Sequence, residues 1–311
     1  MVAVLNLAYR VVCDGLAFPE GPLELPGGDV LVTEIHAGTL TRVTASGQKS
    51  TFATTGGGPN GAAIGPDGAI YVTQNGGIEW QGFNMGRMAW FKGQAGSTSM
   101  EGCVQRVATD GTVTVLYRDC NGEPLKAPND LVFDAAGNFY FTDLGKTHSR
   151  SKDRTGLYYA SPDGKMIKEV VFPAESPNGC GLSPDGKTLF WGETATGRVW
   201  AVELTGPGEA GRPRCLGNVP GAPPAFASSC DSLCVDSEGS VLQATISNGG
   251  ITVIPTNGRE MWFVPTGDRL TTNCCFGGPD LRTLYVTVSA RGELLAFDNW
   301  PVAGHRLHFQ A

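Results

Sequence analysis

Six residues with side-chain oxygens recur at the same place in a repeated pattern. Each is followed by a short run of small or apolar residues, a turn rich in Gly, Asp or Pro, and a β-rich run; first and last residues lie 14 apart in five copies and 15 apart in the fourth. The six are Glu20, Asn60, Asn129, Asn178, Asp231 and Asn273. Brought together, they would form a set of hard oxygen donors that suits Ca²⁺, Mg²⁺ or Mn²⁺, and the carboxylates also suit Zn²⁺.

The repeat also indicates the fold that would bring these residues together. The second half of each period reads as two more strands around a tight turn, as at Asp110-Gly111. Successive copies begin 40, 69, 49, 53 and 42 residues apart. This predicts an all-β, six-bladed β-propeller with four-stranded antiparallel blades around a central channel, as one domain over residues 1–311. If each copy begins with the innermost strand, the six side chains meet at one mouth of the channel.

Two segments depart from the period. The 69-residue interval contains an insertion at about 75–102 that is rich in Trp, Phe and Met. We predict that it covers the channel mouth or an interface between subunits. The stretch from Tyr9 to Cys13 precedes the first copy, where other periods have their outer strand, so we expect it to pair with the last blade and close the ring. The tail at 305–310 competes for that role.

Composition narrows the function classes. A net charge of −7 argues against a nucleic-acid partner, because a phosphate backbone needs a basic face. The chain has no run of about 18 apolar residues and no basic segment at its start, so we expect neither a membrane span nor a signal peptide. Nine scattered cysteines without a CxxC pair are typical of reduced thiols in a cytoplasmic protein.

A turn interpretation competes with the metal interpretation of the six residues. Asparagine is common at strand starts because its side chain bonds to nearby backbone, and this explains Asn60 and Asn273 adequately. It explains Glu20 and Asp231 poorly, because two acids near a channel axis repel each other unless a cation lies between them. Proline precedes four of the six residues and stiffens the approach to them.

The chain resembles the senescence-marker-protein/gluconolactonase family, which includes luciferin-regenerating enzyme and diisopropylfluorophosphatase-like hydrolases. The similar motifs are PEGP at 19–22, APND at 127–130, SPNG at 176–179 and CDSLCVD at 230–236, in an order that extends over about residues 10–300. Members are six-bladed propellers with one catalytic divalent cation in the channel. The resemblance implies that Glu20, Asn178 and Asp231 bind the metal and that Asn129 is a fourth ligand or a substrate contact.

The predicted function is hydrolysis of a small-molecule lactone or ester by a water molecule that a divalent cation activates. Ca²⁺ is the first choice of cation, with Zn²⁺, Mn²⁺ or Mg²⁺ as alternatives. Asp231 is the first choice of general base, because it is the only Asp among the six residues. Asp143 and His148 are second choices, since the loop after that strand could reach the site.

The predicted substrate contacts are Asn129, Asn60 and Lys126. Lys126 lies three residues before Asn129, in a stretch where animal sugar lactonases have an arginine that holds the sugar acid, so an aldonolactone is not favoured. Two other functions stay open. One is a non-hydrolytic propeller enzyme resembling strictosidine synthase, which does not need the full metal set. The other is a non-enzymatic propeller that binds a protein or peptide.

Overall fold

The protein forms a closed ring of six β-sheets. The computed structural model describes residues 2–77, 100–148, 150–220 and 229–310, and within these ranges all regular secondary structure is β-strand. The first strand of each sheet packs against the first strand of the next, and the sixth sheet packs in the same way against the first. The sheets are therefore the blades of a six-bladed propeller, and the predicted fold class is confirmed.

The strands are given from the channel outward. Blade 1 contains Pro19–Glu24, Val30–Glu34, Thr39–Val43 and Lys49–Thr54. Blade 2 contains Pro59–Ile64, Ile70–Gln74, Cys103–Val107 and Val113–Tyr117. Blade 3 contains Pro128–Phe133, Phe139–Asp143, Thr155–Ala160 and Ile167–Ala174.

The second half of the chain repeats this order. Blade 4 contains Pro177–Leu182, Thr188–Glu193, Arg198–Gly206 and Arg214–Asn218, with the short Glu209–Ala210 beside its third strand. Blade 5 contains Ser229–Val235, Val241–Ile246, Gly250–Ile254, Trp262–Pro265 and, parallel to the last, Ala3–Val4. Blade 6 contains Thr271–Gly277, Thr283–Val288, Glu293–Phe297 and Arg10–Cys13. A small hairpin of Asp119–Cys120 and Glu123–Pro124 lies between blades 2 and 3.

The core lies between neighbouring blades, because each blade buries both of its faces. In the second strand of blade 3, Phe139 and Phe141 join a cluster shared with blade 2, whereas Tyr140 joins a cluster shared with blade 4. This is the alternation that a strand imposes on successive side chains. Burying each such ring contributes about 1.5–3 kcal/mol, which explains why this strand begins with three consecutive apolar residues and does not alternate apolar with polar ones.

The N-terminal strand closes the ring. Arg10–Cys13 pairs antiparallel with Glu293–Phe297, and Arg10 lies opposite Ala296. This confirms the role predicted for the stretch from Tyr9 to Cys13. The outer edge of the last blade is thereby paired by residues from the other end of the sequence.

The C-terminal tail takes a different place, across the end of the channel. The His305 backbone N–H donates to the Val235 carbonyl at 3.0 Å, and Gln310 Nε2 donates to the Phe276 carbonyl at 2.8 Å. The Phe309 ring packs edge-on against Phe133, with centroids 5.7 Å apart. These partners lie near the ends of three inner strands, so the tail closes the channel opposite the mouth at which those strands begin.

Most of the insertion predicted at 75–102 lies outside the described residues, because 78–99 are not among them. Its predicted role at the channel mouth or at a subunit interface therefore stays a prediction. At its base, Lys146 Nζ from blade 3 donates to the carbonyl oxygen of Gly77 at 2.9 Å and to that of Asn75. In the described part of the chain, no helix has the length and apolar character needed to cross a membrane.

Candidate metal centre

Each inner strand has an irregular register beside its oxygen-bearing residue. In blade 1 the shift falls between Glu20 and Leu23, and blades 2 to 5 shift across the corresponding residues. In blade 6 the shift falls just before the oxygen-bearing residue, between Thr271 and Asn273. A β-bulge releases a side chain from the strict alternation of a strand and changes its direction. All six residues therefore lie next to a β-bulge in the first half of their inner strand.

The preceding blade fixes the backbone of three of these residues. In each case a buried threonine hydroxyl on the second strand of one blade donates to the carbonyl oxygen of the residue in the next. The pairs, donor first, are Thr33 with Asn60 (2.6 Å), Thr73 with Asn129 (2.5 Å) and Thr142 with Asn178. Recurrent threonines at these positions therefore tie neighbouring blades together at the channel mouth.

Glycine follows several of the six residues because the next inner strand is very close. A Cβ atom at Gly21 would lie 2.2 Å from the Asn60 carbonyl oxygen, and one at Gly179 would lie 2.3 Å from the Leu233 nitrogen. Both distances are shorter than any real contact, so side chains are excluded there. Blade 3 has Asp130 at the equivalent position and blade 5 has Ser232, and these side chains add polar groups to the channel.

The six oxygen-bearing residues at the channel mouth (the ring residues) include two carboxylates, Glu20 and Asp231. Both are almost fully buried, and the charge of Asp231 acts on Glu20. Burial first, and then repulsion by Asp231, raises the pKa of Glu20 well above its usual range. Burial raises the pKa of Asp231 to about 8, although a hydrogen bond from the Asn178 amide opposes the shift. A cation between these groups would favour their charged forms.

A third buried acid, Asp130, adds negative charge close to Glu20 and Asp231. Its burial raises its pKa to about 7, and its charge raises the pKa of both Glu20 and Asp231. A hydrogen bond from the Leu131 backbone N–H, at 2.9 Å from Asp130 Oδ1, opposes the shift of Asp130. The sequence analysis did not select Asp130 or Ser232. The signal was present, because each directly follows an oxygen-bearing residue, at a position where three other copies of the repeat have glycine.

The amide side chains divide into two kinds. Asn60 Oδ1 and Asn129 Oδ1 are buried and have no hydrogen-bond partner among the described residues. Asn273 Oδ1 instead accepts from the Cys274 backbone N–H at 2.7 Å, and its amide hydrogen-bonds to Glu20. Asn273 therefore supports Glu20, whereas Asn60 and Asn129 offer free oxygens.

Asn178 is oriented by its neighbours on both sides. Its Nδ2 donates to Thr194 Oγ1 at 3.1 Å, and that hydroxyl donates to the Cys230 carbonyl at 2.8 Å, one residue before Asp231. Its Oδ1 accepts from Ser232 Oγ at 3.4 Å. Two mutually repelling carboxylates and unpartnered amide oxygens form a donor set of oxygen atoms, which fits a hard divalent cation.

The second-choice bases, Asp143 and His148, each have polar partners of their own. The Asp143 carboxylate accepts three backbone N–H groups, from Lys126 and Ala127 at 2.7 Å each and from Gly145 at 3.0 Å. It thereby fixes the approach to Asn129, which favours a structural role. The side chain of His148 is 52% exposed and lies 3.1 Å from Asp153 Oδ1, so it belongs to the surface of its loop.

Glu34 and Glu193 resemble Asp143 in their position in the repeat and in accepting a hydrogen bond from a backbone N–H group. Glu34 accepts from the Ala17 backbone N–H and from the Thr41 hydroxyl. Glu193 Oε1 accepts from the Glu175 backbone N–H at 3.0 Å. An acid at the end of a second strand therefore anchors the segment that leads into the inner strand of the same blade.

The chain is similar in sequence to known lactonases and in structure to a solved propeller. The chain is 28% identical to lactonase drp35 of Staphylococcus saprophyticus over 87% of the chain and 63% of the relative, and therefore spans less than two thirds of that protein. It is 24% identical to a gluconolactonase of Zymomonas mobilis over 92% of the chain and 81% of the relative. Among solved structures, the calcium-binding protein regucalcin from Agrobacterium tumefaciens superposes with a TM-score of 0.73 at 20% identity, covering 99% of this chain and 100% of the other.

The match to a family model covers most of the chain. The model described as SMP-30/Gluconolactonase/LRE-like region matches residues 18–290, which include all six blades' inner strands and the six oxygen-bearing residues. The order of short motifs that suggested this family is thus supported over nearly the full length of the propeller. The chain belongs to the SMP-30/gluconolactonase/LRE-like family.

Proposed function

We propose that this chain is a lactonase that uses one divalent cation, held by Glu20, Asn178, Asp231 and Asn129 in the channel mouth. The observation that carries the proposal is the burial of Glu20 and Asp231 so close together that the charge of one raises the pKa of the other. Such an arrangement is costly without a cation. Relatives named lactonase and gluconolactonase support hydrolysis of a cyclic ester as the reaction.

Ca²⁺ is the proposed cation, because the donor set consists of carboxylate and amide oxygens. Mg²⁺, Mn²⁺ and Zn²⁺ remain chemically compatible with the same oxygens. A bound cation would supply Lewis-acid polarisation of the lactone carbonyl. The unpartnered Oδ1 of Asn129 supports its assignment as the fourth ligand.

The side chains of the site would supply the proton transfers. A carboxylate oxygen of Asp231 accepts a proton from the water that adds to the carbonyl carbon. When the ring C–O bond breaks, the same oxygen returns the proton to the departing alkoxide, and the product is a hydroxy acid. Asn60 would hold the substrate through its amide, and Lys126, three residues before Asn129, would contact the outer part of the substrate.

The alternatives account for the site less well. A non-hydrolytic enzyme that uses one glutamate has no need for Asp231 beside Glu20. A propeller that only binds a protein or peptide has no use for two repelling acids and two unpartnered amide oxygens in its channel. The cost of burying these groups is offset only if something cationic binds to them.

A lactone panel with defined cations tests the proposal. Protein dialysed against a chelator is assayed with aldonolactones, aliphatic lactones and aromatic lactones, alone and with Ca²⁺, Mn²⁺, Zn²⁺ or Mg²⁺. We expect hydrolysis of at least one class to fall by at least about 100-fold on cation removal and to return on addition, with one cation bound per chain. Full activity in protein shown by elemental analysis to be cation-free would contradict the metal requirement. A cation-loaded protein inactive on every lactone would contradict the substrate class.

The threonines between blades give a second test, of how the ring residues are positioned. Thr73 Oγ1 accepts from the Gly61 backbone N–H at 2.9 Å and donates to the Asn129 carbonyl. Thr73→Val leaves both backbone groups unsatisfied, so we expect a loss of about 2 kcal/mol of stability and a cation affinity at least about tenfold lower. Thr73→Ser keeps the hydroxyl and should restore the affinity.

The control for this test is a buried threonine in another part of the propeller. Thr252→Val removes a hydrogen bond to Thr245 Oγ1 at 2.9 Å, between the second and third strands of blade 5, where Thr252 itself does not bond to the carbonyl of any of the six oxygen-bearing residues. We expect it to lower stability without lowering the Ca²⁺ affinity measured by isothermal titration calorimetry. Equal losses of affinity in Thr73→Val and Thr252→Val would show that Thr73 acts only through general stability.

A further inference from the structure

Two cysteines from neighbouring blades are in contact inside the propeller. Cys234 lies on the inner strand of blade 5 and Cys274 on the inner strand of blade 6, 40 residues further along the chain. Their sulfur atoms are 3.4 Å apart, and both thiols are free. The contact is thus between two separate blades, whose relative position is otherwise set by packing.

The pair lies in the channel, next to the candidate metal centre. Cys234 follows Asp231 by three residues on one strand, and Cys274 directly follows Asn273 on the other. A cavity of about 70 Å³ in the channel is lined by Cys234, Cys274 and two further cysteines. Leu307 and Gln310 of the C-terminal tail line the same cavity, so the tail separates it from the far end of the channel.

We propose that Cys234 and Cys274 form an oxidation site at which a hydroperoxide generates a disulfide between blades 5 and 6. The sulfur of Cys234, which lines the cavity and is the less buried of the two residues, attacks the peroxide, so that an S–O bond forms, the O–O bond breaks and water or an alcohol leaves. The sulfur of Cys274 then attacks the sulfenic acid, an S–S bond forms and a second water leaves. Two thiols are oxidised and one peroxide is reduced, so atoms and electrons balance.

The two sulfur atoms are already close to each other. A disulfide has a sulfur–sulfur distance of about 2.05 Å, so the two atoms must approach by about 1.4 Å, shared between two strands. No other described pair of cysteine sulfurs is in hydrogen-bonding contact. Burial raises the pKa of Cys234 well above its usual range, which keeps the thiolate scarce and makes the reaction slow at neutral pH.

The disulfide would act on the site as well as on stability. Drawing the two inner strands together displaces the segments that carry Asp231 and Asn273, and Asn273 supports Glu20. The bond also closes a loop of 40 residues, which restricts the unfolded chain. Oxidised protein is therefore expected to be more resistant to heat and less able to bind a cation in the ring.

Peptide mapping of oxidised protein tests the proposal without reference to activity. The full chain carrying Cys215→Ser, which removes the exposed thiol, is treated with a hydroperoxide at pH 8, alkylated under non-reducing conditions and digested. We expect a cross-linked peptide containing Cys234 and Cys274, the loss of two titratable thiols and reversal by a dithiol. The melting temperature should rise by at least about 3 °C on oxidation and fall again on reduction.

The single variants are the matched controls. In the same Cys215→Ser background, Cys234→Ser and Cys274→Ser should each keep all remaining thiols and show no rise in melting temperature after the same treatment. Alkylation of Cys234 and Cys274 at unchanged yield in treated Cys215→Ser protein would overturn the proposal, as would a disulfide that joins other cysteines. Because the readout is a peptide linkage, this result is independent of whether the lactonase assignment holds.

Discussion

Asp231→Asn is expected to lower kcat/KM for a lactone substrate by at least about 10³-fold in the presence of saturating Ca²⁺. The amide that replaces the carboxylate cannot accept a proton from water, and general-base catalysis alone contributes about 10²–10⁴-fold. The change also removes one of the two charges that would hold the cation, so affinity measured by isothermal titration calorimetry should fall as well. The fold should persist, because the substitution is isosteric and relieves repulsion with Glu20.

Asp236→Asn is the matched control for this prediction. Asp236 lies in the same blade and is also buried, but its carboxylate accepts from the backbone N–H groups of Glu238 at 2.9 Å and Ser240 at 2.8 Å in a turn. An asparagine oxygen can accept these bonds, so activity and cation binding should stay within about threefold of wild type. If Asp231→Asn keeps full activity and cation content, the proposed roles of Asp231 are wrong.

The propeller was predictable because its signal is repetitive. A strand pair joined by a short turn fixes the spacing between an inner-strand residue such as Asn60 and the end of the second strand at Gln74, and the same offset returns in five blades and is one residue longer in blade 4. This spacing is enough to place the ring residues at equivalent positions on their inner strands. The fold and the ring therefore depend on local spacing, which a sequence displays directly.

The surroundings of the ring were less predictable, because they depend on contacts between blades. Asp130 matters through burial and through its charge on Asp231, whose blade begins about 100 residues later in the chain. Asp143 looked like a base because it ends a repeat near the mouth, yet three backbone N–H groups occupy its carboxylate. The effect of the Asp130 charge on Asp231 and the backbone N–H groups that bond to Asp143 depend on the folded structure, so neighbouring residues in the sequence do not reveal them.

The two chain ends illustrate the same limit. Both the stretch from Tyr9 to Cys13 and the tail at 305–310 had residues suited to a closing strand. The outer edge of Glu293–Phe297 accepts only one partner, and Arg10–Cys13 takes it. The tail instead satisfies carbonyl groups of Val235 and Phe276 at the channel end, a site that exists only once the ring has formed.

The ring of acids should also make the cation-free protein less stable as the pH rises. A carboxyl group whose pKa is raised on folding keeps its proton more firmly in the folded state, so its contribution to stability is lost between the unfolded and folded pKa values. For Asp231 this window runs from about 4 to about 8, and for Asp130 from about 4 to about 7. The expected loss between pH 5 and pH 8 is on the order of 5 kcal/mol, or roughly 10 °C in melting temperature.

Calorimetry in chelator between pH 5 and pH 8 measures this loss, and saturating Ca²⁺ should largely abolish it because a bound cation favours the charged carboxylates. Asp231→Asn removes a buried carboxyl whose pKa is raised to about 8 and whose charge raises the pKa of Glu20, so at pH 8 the cation-free variant should melt above cation-free wild type, although it is the less active protein. Burial also raises the pKa of Asp236, without a contribution from Glu20, Asp130 or Asp231, so Asp236→Asn should remove only the part of the pH dependence that comes from Asp236 itself and should leave the pKa of Glu20 raised. A cation-free Asp231→Asn protein with the same pH dependence as wild type would show that repulsion in the ring does not limit stability, and would remove the physical basis for placing a cation there.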